Sequence, residues 1–217
     1  MLGRVAILIV LTALISYFLG CFNGALLISK YILKDDVRGH GSGNAGLTNF
    51  YRVFGGKLTI LVVLCDMLKA VIAVLIGGAL MGHYCGLEVF GKYLAGMCCL
   101  LGHMFPCMFQ FKGGKGILSG GAVAIMIDWR IAVVVWGLFI VLFACSKMVS
   151  LGSLGAGAAF PIMSAIIYRS WIITIMAVII GVLVFWRHRG NIVRILKGEE
   201  STFHLHHKDD SQTEEKR

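Results

Sequence analysis

Residues 58–81, LTILVVLCDMLKAVIAVLIGGALM, decide the fold of this chain. The run is almost wholly apolar and exceeds the roughly 20 residues that a helix needs to cross a bilayer. It contains Asp66 and Lys69, which lie three positions apart and so share one helix face. An ionisable residue inside a span costs roughly 2.5–3.5 kcal/mol on insertion scales, so such residues face the bundle interior and pair. The sequence predicts a transmembrane helix with an internal ion pair, which is either structural or directly functional.

Apolar blocks of this kind recur along the 217-residue chain. Hydrophobic residues make up 58% and charged residues 14%, against about 25% charged in soluble domains, and the mean hydropathy is +0.85. The blocks are continuous rather than alternating, which favours helices over a β-barrel. The predicted spans are residues 5–33, 58–81, 89–101, 117–127, 131–145, 151–168 and 171–186. We expect an all-α polytopic membrane protein whose seven transmembrane helices form one domain, residues 1–200, with a polar, disordered cytoplasmic tail, residues 201–217.

The net charge of +9 would suggest nucleic acid as a partner of a soluble protein. In a membrane protein the positive-inside rule explains it without nucleic acid. With seven spans, fifteen of the 20 Lys and Arg residues fall on the side of the C-terminus, four fall on the other side, and Lys69 lies within a span. The N-terminus is therefore expected outside and the C-terminus in the cytoplasm.

The polar stretches share one membrane face under this topology. They are residues 41–52, 103–116, 146–153 and 187–200. The segment 112–116, KGGKG, combines two lysines with glycine backbone N–H groups at the start of a predicted helix, which favours binding of a phosphate or other anion. It is not a Walker P-loop, because Gly116 rather than Ser or Thr follows the lysine. A flexible loop whose lysines only follow membrane topology is the alternative.

Three motifs resemble those of a known family. The first is Gly41-Ser42-Gly43-Asn44 with Gly46, Thr48 and Asn49; the second is Gly102-His103 with residues 111–116; the third is Arg187-His188 with Asn191-Ile192, Arg194, Gly198 and Glu200. Asp66 with Lys69, and Ser150-Leu151 with Ser153, also fit the pattern. Over residues 5–200 the chain is similar to the bacterial PlsY-type acylphosphate:glycerol-3-phosphate acyltransferases.

The resemblance implies an enzyme of phospholipid biosynthesis in the bacterial inner membrane, with its active site at the cytoplasmic face. Such an enzyme transfers a long-chain acyl group from acyl-phosphate to the 1-hydroxyl of glycerol 3-phosphate, giving lysophosphatidate and inorganic phosphate. Its partners are those two substrates and membrane lipid, without a cofactor or metal, and a monomer is one expectation. Within residues 5–200, which carry the resemblance, the chain lacks the His-x-x-x-x-Asp pattern of the other glycerophosphate acyltransferases, which agrees with a separate mechanism.

The resemblance and the side-chain chemistry together assign the candidate residues. The catalytic candidates are Ser42, Lys115, His188 and Asn191. The substrate-binding candidates are Arg52, Gly41, Gly43, Asn44, Lys112, Gly113, Gly114, Gly116, Ser150, Ser153 and Arg187. The supporting candidates are Asp66, Lys69, Thr48, Asn49, His103 and Glu200. A guanidinium at Arg52 can hold phosphate bidentately, and Lys115 with neighbouring glycine amides can stabilise developing negative charge.

Several alternatives stay open on sequence alone. The proton of the attacking hydroxyl goes either to His188 or to a substrate phosphate oxygen, and a covalent acyl-Ser42 is a third route. Departures at Ala45, Leu47 and residues 117–119 bear on acyl-chain preference. A transporter of organic phosphates would also use basic glycine-rich loops, but it predicts internal repeats, which the sequence lacks. A non-catalytic lipid-binding scaffold would not need so many glycine, hydroxyl and amide positions in its loops.

Overall fold

The computed structural model describes residues 2–203, and this part of the chain is helical without any strand. The helices are α1 (Leu2–Cys21), α2 (Gly24–Leu27), α3 (Leu47–Phe54), α4 (Leu58–Cys85), α5 (Glu88–Met104), α6 (Ile117–Ile127), α7 (Trp129–Ser146), α8 (Val149–Tyr168), α9 (Trp171–Arg187) and α10 (Arg189–Leu196). A π-helical turn, Ile28–Ile32, and two 3₁₀ turns, Val37–Gly39 and Cys107–Phe109, complete the regular elements. The all-α prediction is confirmed.

Four of the described helices, α1, α4, α7 and α8, are long and apolar enough to cross a membrane. Helices α9 and α10, which meet at a 59° bend, make a fifth if they count as one span. Helix α5 has 17 residues and α6 only 11, so α6 rises about 16 Å, roughly half of a hydrocarbon core. The seven-span topology and the orientation of the termini stay predictions.

The first predicted span, residues 5–33, is not one helix, because α1 ends at Cys21 and the chain restarts at Gly24. Asn23 causes the break, since its side chain accepts a hydrogen bond from the Leu26 N–H (3.0 Å) and caps the new helix. The N–H of Gly24 donates to Asp66 Oδ1 on α4 (3.1 Å). The interruption therefore anchors the chain on the buried carboxylate of the neighbouring helix.

Glycines let the bundle pack with touching backbones. A Cβ at Gly20 on α1 would overlap the carbonyl oxygen of Cys99 on α5, and a Cβ at Gly102 would overlap that of Tyr17. Small residues at such crossings are typical of membrane helices, which associate by close van der Waals contact. Helices α1, α4 and α5 consequently form a tight unit against which α6 and α9 pack.

Large apolar side chains cover the outside of the bundle. Ile7, Val133 and Trp171 are between 62% and 73% exposed. A water-soluble monomer rarely exposes contiguous apolar surface on this scale. The outer surface therefore fits a lipid environment.

A second, smaller core lies under the polar segment between α2 and α4. Leu26, Val37, Phe50 and Val62 form it, and each is fully buried. The core explains why a segment rich in glycine and polar residues holds one conformation. It also includes α3, a helix that the sequence analysis did not predict.

Candidate active site

The polar stretches predicted to share one face converge on a single cavity of ≈ 270 Å³. Loop and helix segments from the N-terminal half, the glycine loop, the start of α8 and the α9–α10 junction all contribute to its wall. The predicted residues that line it are Ser42, Asn44, Thr48, Asn49, Arg52, Asp66, His103, Lys115, Gly116, Ser150, Ser153, His188, Asn191 and Glu200. Fourteen of the predicted site residues thus meet in one place, although they come from four distant parts of the chain.

Other predicted residues lie elsewhere. Gly43, Lys112, Gly113 and Arg187 line an adjoining open cleft of ≈ 830 Å³, which shares Ser42, Asn44, Lys115, Asn191 and Arg194 with the polar cavity. Gly41, Lys69 and Gly114 line neither space. These three contact residues of the wall: Gly41 lies against Asn49, and both Lys69 and Gly114 lie against His103.

Asn49 shapes the first loop. Its side-chain nitrogen donates to the carbonyl oxygens of Val37 and His40 (3.1 Å each), and its oxygen accepts from the Ser42 N–H (2.9 Å). Gly41 has a φ of +56°, a left-handed conformation, and a Cβ there would collide with the Asn49 side chain. Asn49 and Gly41 therefore hold Ser42 at the cavity rim, where its side chain is exposed.

The glycine loop differs from the expectation that its amides face an anion. The N–H groups of Gly113 and Gly114 donate to the carbonyl oxygens of Met104 (3.1 Å) and His103 (3.2 Å), because the end of α5 leaves those carbonyls without helical partners. The guanidinium of Arg187 donates to the carbonyl oxygens of the same two glycines, at 2.8 and 3.1 Å. Arg187 thus fastens the loop, and the loop presents Lys115 and the N-terminus of α6 to the cavity.

Lys115 is one of three cations in the cavity wall among the described residues, with Arg52 and Arg194. Burial lowers the pKa of its ammonium to about 8, although the nearby carboxylate of Glu200 acts in the opposite direction. Its Nζ donates to Asn191 Oδ1 (2.5 Å), and Asn191 Nδ2 in turn donates to Glu200 Oε1 (2.6 Å). At neutral pH Lys115 is therefore charged, held by an amide, and weakly solvated, which strengthens its attraction for an anion.

Glu200 closes this hydrogen-bonded chain. Burial raises the pKa of its carboxyl, but hydrogen bonds outweigh that effect and hold the pKa below its usual value. Arg194 Nε donates to its second oxygen at 2.7 Å. Glu200 is therefore ionised, and it fixes the amide of Asn191 so that the amide oxygen faces Lys115.

His188 lies at the bend between α9 and α10 and is 2% exposed. Burial, together with the charge of Lys115, lowers the pKa of its imidazole to about 4. Its Nδ1 lies 2.8 Å from the carbonyl oxygen of Val184. The imidazole is neutral at physiological pH, so it is a weak base that can accept a hydrogen bond.

Two serines of α8 line the cavity, and their hydroxyl groups differ in hydrogen bonding. The hydroxyl of Ser153 donates to the carbonyl oxygen of Val149 within its own helix (2.7 Å). The hydroxyl of Ser150 is buried and makes no hydrogen bond of standard geometry with the described residues, but it lies close enough to the carboxylate of Glu200 to contribute to the lowered pKa of that group. A poorly satisfied buried hydroxyl is destabilising. Ser150 Oγ is therefore available to a polar ligand group in the cavity.

Asp66, Lys69 and His103 form a buried cluster behind the cavity, which confirms the predicted ion pair. Lys69 Nζ lies 2.7 Å from Asp66 Oδ1 and 2.8 Å from His103 Nδ1. The same ammonium donates to the carbonyl oxygens of Gly20 (3.2 Å) and Phe22 (3.0 Å), at the break after α1. The charges are thus paired and fully hydrogen-bonded, as a buried ion pair requires.

An apolar cavity of ≈ 50 Å³ adjoins the polar one and shares Gly116, Ile117, Trp136 and Phe139 with it. Its lining comes from α5, α6, α7, α8 and α9 and is almost wholly apolar. The two cavities meet at the start of α6, where Lys115 precedes the shared residues. An apolar space thus lies directly beside the cationic one, as the head and the first carbons of an amphiphilic anion would require.

Some residues of the site were missed by the sequence reasoning. Arg194 is part of the third motif but was given no role, and it lines both the polar cavity and the open cleft. Trp136 and Phe139 carried no signal, because an aromatic residue in an apolar span reads as lipid-facing or core. Ser201 and Phe203, placed in the tail, also line the cavity.

The chain from residue 201 to 203 packs onto the site. Phe203 N–H donates to the carbonyl oxygen of Lys147 (2.8 Å), and its ring contacts those of Tyr51 and Phe143. Arg52 Nη2 donates to Ser201 Oγ at 3.3 Å. Residues 204–217, the rest of the predicted tail, lie outside the described part of the chain.

The fold and the site together define an integral membrane protein with a pocket for an amphiphilic anion. Comparison with known proteins identifies the class further, since the family glycerol-3-phosphate acyltransferase matches residues 10–198. A glycerol-3-phosphate acyltransferase of Thermoanaerobacter pseudethanolicus is 40% identical over 192 residues, which cover 88% of this chain and 94% of that protein. One from Lactiplantibacillus plantarum is 33% identical over 202 residues, covering 91% and 93%.

Solved structures agree. The glycerol 3-phosphate form of PlsY, described as an integral membrane glycerol 3-phosphate acyltransferase, superposes with a TM-score of 0.81 at 31% identity, covering 90% of this chain and 96% of that chain. Its lysophosphatidic acid form gives a TM-score of 0.76 at 32% identity, covering 90% and 95%. The chain belongs to the glycerol-3-phosphate acyltransferase family and is an integral membrane acyltransferase.

Proposed function

We propose that this protein transfers a long-chain acyl group from acyl-phosphate to the 1-hydroxyl of glycerol 3-phosphate, giving lysophosphatidate and inorganic phosphate. The observation that carries the proposal is the junction of a polar cavity holding Lys115 with an apolar cavity at Gly116 and Ile117. Such a junction accommodates a hydrocarbon tail and a phosphorylated head at once. The likeness to the glycerol 3-phosphate and lysophosphatidic acid forms of PlsY supports the choice of acceptor and product.

Phosphate binding follows from the unsatisfied groups of the cavity. Lys115 supplies a desolvated positive charge, and Ser150 supplies a buried hydroxyl that makes no hydrogen bond of standard geometry with the described residues. The first N–H groups of α6 lack intrahelical acceptors and carry the positive end of the helix dipole. Arg52 and Arg194 add charge at the rim. Together they compensate the negative charge of two phosphorylated substrates brought into one space.

The low basicity of His188 favours the substrate as the proton acceptor. With a pKa of about 4, the imidazole orients the attacking hydroxyl by accepting its hydrogen bond but does not hold the proton. The glycerol oxygen forms a bond to the acyl carbon, the carbon–oxygen bond to phosphate breaks, and the proton goes to a phosphate oxygen. Lys115 stabilises the oxyanion that develops on the carbonyl. No covalent intermediate on Ser42 is needed, because acyl-phosphate is already activated.

The acyl chain is assigned to the apolar cavity between α6, α7, α8 and α9. Its wall contains Gly120, Gly121 and Gly157, which leave space beside the helix backbones. We place the site at the cytoplasmic face of the bacterial inner membrane, with seven spans, because Lys and Arg concentrate on the side where the polar stretches converge.

The test uses purified protein in lipid with labelled glycerol 3-phosphate, offering palmitoyl-phosphate and palmitoyl-CoA in separate reactions. Labelled lysophosphatidate formed from acyl-phosphate alone is the expected result. Product from acyl-CoA would refute the donor assignment while keeping the acyltransferase. With folded protein and no product from either donor, a transporter of organic phosphates becomes the better interpretation.

A further inference from the structure

Two histidines, His103 and His188, line the polar cavity, and each uses its Nδ1 atom in a hydrogen bond within the protein. The group nearest to each Nδ1 decides where the ring proton lies. In a neutral imidazole one nitrogen donates and the other accepts. The partners differ in kind, and the two rings are consequently held in opposite tautomers.

His188 presents an acceptor. The partner of its Nδ1 is the carbonyl oxygen of Val184, 2.8 Å away, and a carbonyl can only accept a hydrogen bond. The proton of this neutral ring therefore lies on Nδ1. Its Nε2 is left with a free lone pair, which is suited to accept a hydrogen bond from a substrate hydroxyl.

His103 presents a donor. The partner of its Nδ1 is the ammonium of Lys69, 2.8 Å away, and an ammonium can only donate. Lys69 is held as a cation by Asp66 at 2.7 Å and by two backbone carbonyls. An N–H at Nδ1 would point at this cation from 2.8 Å, whereas Asp66 Oδ1 is farther away at 3.5 Å. The Nδ1 of His103 is therefore unprotonated, which places the ring proton on Nε2.

The Nε2 edge of His103 lies against the glycine loop just before Lys115. A Cβ at Gly114 would overlap Nε2, so only glycine lets the loop pass this edge of the ring. The ring is 3% exposed and forms part of the cavity wall. An N–H in a weakly solvated position beside a lysine is arranged to bind an anionic oxygen.

We propose that His103 donates a hydrogen bond from Nε2 to a phosphoryl oxygen of the substrate, and that Asp66 and Lys69 hold its tautomer for that purpose. The inference rests on the proposed function and assigns a role to the buried ion pair beyond stability. The phosphoryl oxygen belongs either to glycerol 3-phosphate or to acyl-phosphate. The cavity thus carries one histidine for the hydroxyl and one for the anion.

Substitution gives the first test, with His103→Leu and His103→Gln as the matched pair. Leucine removes the donor, and loss of a hydrogen bond to a charged group lowers kcat/KM about 10- to 100-fold. Glutamine carries an amide N–H near the position of Nε2 and is expected to retain activity within a few-fold. His83→Leu, at an exposed position near the end of α4, is the control and leaves activity unchanged.

The kinetic constants distinguish the two phosphoryl sources. An increased KM for glycerol 3-phosphate assigns the oxygen to the acceptor, and an increased KM for acyl-phosphate assigns it to the donor. If folded His103→Leu keeps the kcat/KM of the unaltered protein, the proposal is wrong. The unaltered protein is assayed with acyl-phosphate in the same experiment, because a lack of turnover there would refute the proposed function instead.

The tautomers are also measurable in the unaltered protein. In the ¹⁵N NMR spectrum of histidine-labelled protein, we expect an Nε2–H signature for His103 and an Nδ1–H signature for His188. Addition of glycerol 3-phosphate or of a non-hydrolysable acyl-phosphate analogue is expected to shift the His103 Nε2 resonance. An Nδ1–H signature for His103, or no shift with either ligand, would refute the proposal even if the leucine variant fails to fold.

Discussion

Lys115 sets the pH dependence of the reaction, and Glu200 adjusts it. Burial lowers the pKa of Lys115 to about 8, while the negative charge of Glu200 raises it. The change Glu200→Gln removes that charge but keeps an oxygen that can accept from Asn191. We expect the pKa of Lys115 to fall below its wild-type value in this variant, because one interaction that favours the ammonium is lost.

The magnitude follows from the titration. With a pKa of about 8, roughly nine tenths of free enzyme carries the ammonium at pH 7 and about a tenth at pH 9, since one pH unit past the pKa is a tenfold change. The second pKa of a phosphate monoester is near 6, so glycerol 3-phosphate stays a dianion across this range. Above pH 8, kcat/KM therefore falls about tenfold per pH unit.

The assay is the initial rate of lysophosphatidate formation at low glycerol 3-phosphate, from pH 6.5 to 10, with wild type, Glu200→Gln and Lys115→Arg. The fall of kcat/KM at high pH, the alkaline limb, is expected near pH 8 in wild type and at lower pH in Glu200→Gln. The residual activity of Lys115→Arg is expected to show no such fall, because a guanidinium does not titrate in this range. A limb near pH 10 in wild type, or an unchanged limb in Glu200→Gln, would refute the reasoning.

Three further predictions address the anion site, the acyl cavity and the loop anchor. Lys115→Ala and Arg52→Ala each reduce turnover strongly in folded protein, with Lys115→Ala lowering kcat/KM by about 100-fold or more; full activity in either variant contradicts the site. Gly120→Leu projects a side chain into the apolar cavity, since a Cβ there meets only Leu100 at 3.8 Å, and it reduces activity with palmitoyl-phosphate far more than with hexanoyl-phosphate. Gly137→Leu, whose Cβ meets nothing within 4 Å, is the control. An equal loss of activity with both donors in Gly120→Leu would contradict the acyl assignment. Arg187→Lys loses the two-pronged contact with the loop carbonyls, which lowers thermal stability and raises the KM for glycerol 3-phosphate; an unchanged KM would show that the loop holds its shape alone.

The helical architecture was predictable because each apolar block marks its own helix. Helix α6 occupies the same residues as the predicted span, 117–127, and α7, α8 and α9 differ from theirs by one or two residues at an end. The first span was predicted too long, because hydropathy does not register a cap such as Asn23. Helix α3 was missed because its apolar face packs on a small local core within a polar segment.

The residues that line the cavity were largely predictable from side-chain chemistry and from the family resemblance, but the contacts that each residue makes were not. Sequence places Gly113, Gly114 and Arg187 at the site, yet only the folded chain shows that α5 carbonyls take the glycine N–H groups and that Arg187 binds the loop. The tautomers of His103 and His188 depend on partners 34 and 4 positions away. Such pairings arise from packing and carry no local sequence pattern.

The central claim is that the cavity between Lys115 and Ser150 holds the phosphate of glycerol 3-phosphate. The most direct test is an experimental structure of this protein in lipid with glycerol 3-phosphate bound. We predict a phosphate oxygen within hydrogen-bond distance of both Lys115 Nζ and Ser150 Oγ, with the 1-hydroxyl facing His188 Nε2. A phosphate seated in the open cleft beside Lys112 and Arg189, out of contact with Ser150 Oγ, would contradict the account.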